Sequence, residues 1–167
     1  ALPIFRQFDQ IWVPDFPAEN SIAGSLSTPP QKLNHIYRIG ILSRFLMGNV
    51  ETLDEPVKSY DIMVVLSGPE PQRSLLEDIL TSQLELLNQD VLFVRGVAGK
   101  KNSLKRKNIQ FVPSLSYREL KIAFARSNLI ICRSGYSSVM DLISLGKKAI
   151  LIPTPGQTEQ EYLATYL

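Results

Sequence analysis

Residues 128 to 146 read NLIICRSGYSSVMDLISLG. Leu129 to Arg133 is a continuous apolar run cut off by a basic residue, which predicts a short buried strand. SGYSS follows, small and polar. Val139, Leu142 and Ile143 then recur at helical spacing, and Gly146 closes the helix. A strand that runs through a Ser/Gly turn straight into a helix makes an anion site. The free N–H groups of the first turn point outward, and the helix dipole favours negative charge there. Gly135 removes the Cβ that would hold a phosphate away from the backbone. Ser134, Gly135, Tyr136, Ser137 and Ser138 are therefore candidates to hold the phosphates of a nucleotide. Arg133 sits at the strand's carboxyl edge, where a guanidinium can meet an anion; a structural ion pair explains it too.

The preceding chain divides in two. DQIWVP at 9 to 14 predicts a strand stopped by Pro14, and a loop-rich stretch with four prolines runs to residue 34. HIYRIGILSRF at 35 to 45 predicts another extended segment. Residues 47 to 59 have no apolar periodicity, and the domain boundary is placed there, between 1–48 and 49–167.

From residue 60 the pattern is regular. Strands are expected at 60 to 68, 91 to 96, 108 to 114 and 148 to 153. A helix over 71 to 88 would bury Leu75, Leu76, Ile79, Leu80, Leu84 and Leu87 on one broad face. A helix over 116 to 127 starts with a capping box, Ser116 and Glu119, and the chain finishes in another helix after TPGQ. Apolar strands alternating with helices of about three turns imply an α/β fold, a Rossmann-like, doubly wound, mainly parallel sheet. Such sheets bind ligands at their strands' carboxyl ends. The turns Ser67-Gly68, Ser134-Gly135 and Pro155-Gly156 all fall at that end.

Composition excludes several classes. Net charge is only +2, which gives no argument for nucleic acid as a partner. Cys132 is the single cysteine, so no internal disulfide forms and a reducing, cytoplasmic compartment is expected. No apolar run approaches the length of a membrane span. Five basic residues lie within 99 to 108 without an interleaved aromatic, which reads as a solvated loop with at most peripheral membrane contact. No His/Cys/Asp/Glu spacing suggests a metal, and no cofactor is expected. The first strand-to-helix turn, LSGPEPQRS, lacks both the dinucleotide and the P-loop glycine patterns. The start of the chain carries no initiator Met, and TEQEYLATYL reads as a helix still in progress. An excised piece of a longer protein is the expectation.

Further polar candidates flank the main turn. Asp141, about a turn into its helix and off the apolar face, can accept from a ribose diol, or simply favour a helix start. Gln157, Thr158, Glu159, Gln160 and Glu161 surround the last helix start, where amides and carboxylates suit sugar hydroxyls.

CRSGYSSVMDLISLGKKAILIPTPGQTEQEYLA resembles the C-terminal signature of glycosyltransferase family 28, which includes the peptidoglycan N-acetylglucosaminyl transferases. The likeness is close over 128 to 164 and extends to 60 to 127 by element order only. It implies the C-terminal half of a GT-B fold, with residues 1 to 48 as the end of an N-terminal domain and its linker. It implies an enzyme that moves a hexosyl or N-acetylhexosaminyl group from a UDP-sugar to an acceptor hydroxyl, lipid-linked or glycan, at the inner face of the membrane.

Residue by residue, the resemblance puts the diphosphate at Ser134, Gly135 and the small residues after them, and the ribose at Asp141, where the family has Glu. Gln160 and Glu161 stand where two Gln residues bind the sugar. Phe111 to Leu115, with Val112 among them, fall near the uracil loop, and Ser67 and Gly68 match the first glycine loop. The acceptor-side base would belong to the missing N-terminal domain, so the piece alone would not turn over. A nucleotide-sugar 2-epimerase of the same fold and a non-catalytic binding module are the alternatives.

Overall fold

The computed structural model describes residues 2–5, 7–28, 35–46, 58–97 and 103–167. Most of the expected domain boundary and part of the basic loop (98–102) lie outside them. Two sheets form. Strands β1 (Ile11–Val13) and β2 (Ile36–Arg38) make a small parallel pair, with Trp12 beside Tyr37. The main sheet has the order β5-β6-β4-β3-β7-β8. Its strands are β3 (Tyr60–Val65), β4 (Val91–Val94), β5 (Leu104–Arg106), β6 (Ile109–Val112), β7 (Ser127–Arg133) and β8 (Ala149–Ile152). All pair in parallel except β5, which runs antiparallel at the edge. The chain steps outward from β3 through β4 to β6, then returns to β3's other side for β7 and β8. The reversal falls between β3 and β7, where Val65 pairs with Cys132.

The sheet buries both faces, as its apolar strands require. Side chains alternate along each strand. Ile62, Val64, Val91, Phe93 and Ile109 pack on one face with Leu76, Leu80 and Leu84 of helix α2 (Gln72–Leu84). Met63, Leu92, Val94, Ile130 and Cys132 pack on the other with Leu120 and Phe124 of α3 (Tyr117–Ala125) and Leu142 of α4 (Tyr136–Ser144). The doubly wound α/β class is thus observed. Ser116 and Glu119 form the expected capping box. Helix α4 closes in a Schellman motif, with Lys147 N donating to Leu142 O and Gly146 N to Ile143 O.

Two expectations change. Helix α2 ends at Leu84, and Leu75, Ile79 and Leu87 are exposed. At 100° per residue, Leu75 and Ile79 are rotated off the line of Leu76 and Leu80, and one sheet face cannot cover both. The basic stretch contains a strand, β5, joined to β6 by a tight turn at Lys107 and Asn108. Its residues are all exposed, so no apolar alternation marked it, and charge suits an edge strand. Phe45 is 4% exposed and belongs to the main core, against Tyr117 and Phe124.

The segment after β1 is organised by Asp15, which is fully buried. Its carboxylate accepts from the Ser21 and Ser27 hydroxyls at 2.5 Å each and from the Phe16 and Ile22 amides at 2.7 and 2.8 Å. Burial alone would raise its pKa; these hydrogen bonds outweigh burial and hold it below the usual carboxylate range.

Candidate functional site

The site forms where the chain's winding reverses. The turns leaving β3, β7 and β8 lie side by side there, because those strands are neighbours. Gly135 is the N-cap of α4 and, being glycine, offers no side chain to cap this helix start. A Cβ built on Gly135 would meet nothing within 4 Å, and the same holds for Gly68 and Gly156. Ser67, Gly68 and Ser137 are exposed, and Ser138 is half-buried. Three open glycine turns therefore share one sheet edge, with the first-turn amides of α4 among them.

Two residues read as ligands have their side chains committed to the fold. Ser134 is fully buried, and its hydroxyl donates 2.7 Å to the carbonyl of Gln160 in helix α5 (Thr158–Tyr166). Arg133 donates from Nη1 to Pro153 O and from Nη2 to Gln72 O, both at 2.8 Å. It braces the end of β8 against the start of α2, leaving only a buried Nε without a partner. Burial pushes its pKa down. The guanidinium thus faces carbonyls rather than an anion.

Asp141 is 4% exposed, although the helical pattern put it off the apolar face. Residues 42 to 46 cover that side. Asp141 Oδ1 accepts from Ser43 Oγ at 2.6 Å, and Oδ2 accepts from Arg44 Nε and Nη2 at 2.9 Å each. Val112 is buried in the core, and its carbonyl accepts from Arg95 N at 2.9 Å. Around the last helix start, Gln160 Oε1 accepts from Thr154 N at 2.9 Å and its Nε2 donates to Gln157 Oε1. Glu161 accepts from Gly156 N at 2.8 Å. These three polar side chains close their own turn.

Tyr136 opens α4, and its hydroxyl donates 2.6 Å to Pro14 O, which clasps the Asp15 segment to the site. Burial, with Asp15 nearby, pushes this phenol up to about 12. Ser43, Arg44 and Gly96 were not marked by the sequence. The first two meet Asp141 across 97 or more positions, beyond any local pattern. Gly96 had a signal, closing VLFVRG: its φ is +69°, and a Cβ there would lie 2.3 Å from Leu66 O at the exit of β3.

A doubly wound sheet with an uncapped helix start and open glycine turns at its winding reversal is the class of ligand-binding α/β domain this chain defines. Residues 62–167 match the Glycosyltransferase family 28 C-terminal domain, and the chain belongs to that family. A relative from Corynebacterium efficiens is 33% identical over 86 residues, covering 51% of this chain and 22% of the relative. A second, from Methylobacterium radiotolerans, is 40% identical over 48 residues, 29% of this chain and 13% of the relative. Both are named UDP-N-acetylglucosamine--N-acetylmuramyl-(pentapeptide) pyrophosphoryl-undecaprenol N-acetylglucosamine transferase. The matched part is thus about a fifth or less of either relative's length. Among solved structures, the glycosyltransferase SnogD from Streptomyces nogalater is similar with a TM-score of 0.48 and 16% identity, over 83% of this chain and 40% of that one.

Proposed function

We propose that this chain carries the donor-binding domain of a glycosyltransferase that moves a hexosyl group from a UDP-sugar to an acceptor hydroxyl. The observation that carries the reading is Gly135: it faces open space at an uncapped helix start on the winding reversal of the sheet. Family membership supports it, as do relatives whose names state a UDP-N-acetylglucosamine donor and a pyrophosphoryl-undecaprenol acceptor. A UDP-N-acetylhexosamine donor and a lipid-linked acceptor at the membrane face follow as the finer reading.

In this reading the first-turn amides of α4, from Tyr136 to Ser138, receive the diphosphate, with Ser67 and Gly68 beside it. The acceptor oxygen bonds to the anomeric carbon as the bond to the diphosphate breaks, and the electron pair leaves on the diphosphate. Fixed amides and the helix dipole stabilise that growing charge without reorganising and without a metal. The acceptor proton goes to a base of the N-terminal domain. Asp141 receives the ribose, and Gln157, Gln160 and Glu161 face the sugar.

Gly135→Asn tests this. Its backbone, φ −71° and ψ 142°, suits Asn, and Asn is a favourable N-cap. The variant should melt at the same temperature or higher, because its side chain caps the amides. It should also lose UDP binding at least about ten-fold by calorimetry. Unchanged UDP binding would place the diphosphate elsewhere.

A further inference from the structure

The Asp141 carboxylate is held by two residues that follow the small sheet, Ser43 and Arg44. Three donors reach its carboxylate: Ser43 Oγ, Arg44 Nε and Arg44 Nη2. The arrangement is not incidental. Ser43 Oγ also accepts from Phe45 N at 3.1 Å and from Ser144 Oγ at 2.9 Å, which uses its full hydrogen-bonding capacity. Tyr117 donates to Arg44 O at 2.9 Å, and the Leu42 amide meets Met140 Sδ at 3.4 Å. The anchor of the segment is Phe45, buried among Tyr117 and Phe124. Arg44 itself has a side chain 56% exposed, against 6% for Asp141. One partner is fixed in the fold, and the other can swing into solvent while Phe45 stays in place.

We propose that Ser43 and Arg44 are a latch on the donor site. They hold the Asp141 carboxylate, and a ribose diol must displace Arg44 to reach it. This rests on the reading of Asp141 as the ribose acceptor. A diol donates two hydrogen bonds, and a carboxylate carrying three close donors at 6% exposure has no open face for them. Ribose binding and Arg44 docking therefore compete for the same oxygens. By linkage, whatever weakens one strengthens the other. The consequence reaches beyond the site. Arg44 lies on the connector between the β1–β2 unit and the main sheet, so an occupied donor site loosens that connector, and an empty one clamps it.

Uridine is the probe, since it carries the diol and no phosphate that Arg44 could follow. In the full chain, Arg44→Ala should bind uridine at least about five-fold more tightly than wild type in an NMR titration. Ser43→Ala, which keeps the cation, should shift it in the same direction by less, and serves if Arg44→Ala does not fold. In wild type, UDP should lower hydrogen-exchange protection at the amides of Leu42, Phe45 and Leu46. Uridine affinity that is unchanged or weaker in both variants, with UDP still binding wild type, overturns the latch alone. Wild type that binds neither UDP nor uridine overturns the donor-site reading, and the latch with it.

Discussion

The buried hydroxyl of Ser134 donates 2.7 Å to the main-chain carbonyl of Gln160, so the turn leaving β7 is fastened to the first turn of α5. The proposed diphosphate and sugar subsites therefore move as one piece. Ser134→Ala should cost about 1–2 kcal/mol of stability in urea unfolding, the worth of a buried hydrogen bond with its acceptor left short. It should weaken a UDP-sugar more than UDP, since only the sugar depends on where α5 sits. A fall in UDP affinity with unchanged stability would instead mean that the hydroxyl serves the ligand directly.

Gly96 and Gly156 share a left-handed backbone but not a neighbourhood. At Gly156, φ +82°, an added Cβ finds open space; at Gly96 it would lie 2.3 Å from Leu66 O. Gly156→Ala should therefore cost only the backbone penalty, about 1–2 kcal/mol. Gly96→Ala adds a clash with main chain that cannot rotate away, and should exceed about 3 kcal/mol. Thermal melts of the two variants order them. Equal losses would show that the exits of β3 and β4 can separate freely.

What the sequence made legible was whatever repeats or punctuates. The runs of β3, β4 and β7, the Ser116 capping box and the Gly146 stop are local signals, and each is where the pattern put it. The open Gly135 turn was legible for the same reason, because strand, glycine and helix are consecutive. Burial at a distance was not. Asp141 looks like a surface acid until residues 42–46 are laid over it, and no periodicity within α4 encodes Arg44. Strand β5 was hidden because an edge strand with both faces wet needs no apolar residue. The α2 face is narrower than the pattern implies, because Leu75 and Ile79 satisfy a helical count without facing the sheet.

Asp15 gives the fold an acid-sensitive point. Its folded-state pKa is depressed by hydrogen bonds from Ser21, Ser27, Ile22 and Phe16, which overcome the opposing effect of burial. A depressed carboxyl contributes stability that is fully present above its unfolded pKa, about 3.9, and is lost as pH falls through the lower folded value. Asp15→Asn should thus cost about 2–3 kcal/mol at pH 7, because an amide cannot accept from four donors at once. Below about pH 4 the wild-type advantage should shrink, and the two unfolding curves should converge. Parallel curves down to pH 3 would mean that Asp15 contributes by shape alone and not through its charge.

Phe45 tests where the main domain begins. Its ring lies 5.5 Å from that of Tyr117 and 5.7 Å from that of Phe124, and it shares a core with Met63, Ile130 and Leu142. A boundary after residue 48 would leave this ring on the far side, although it packs on two aromatics of α3 within the main core. Phe45→Ala removes a buried aromatic from a close-packed core, and should cost about 3–5 kcal/mol in denaturant unfolding. Phe45→Leu keeps most of the apolar volume and should recover more than half of that loss. The effect should appear in one cooperative transition with the main sheet, followed by near-ultraviolet circular dichroism of the aromatic cluster. A separate, earlier transition confined to residues 35–46, with the sheet melting unchanged, would place Phe45 with the connector and the domain boundary after residue 48.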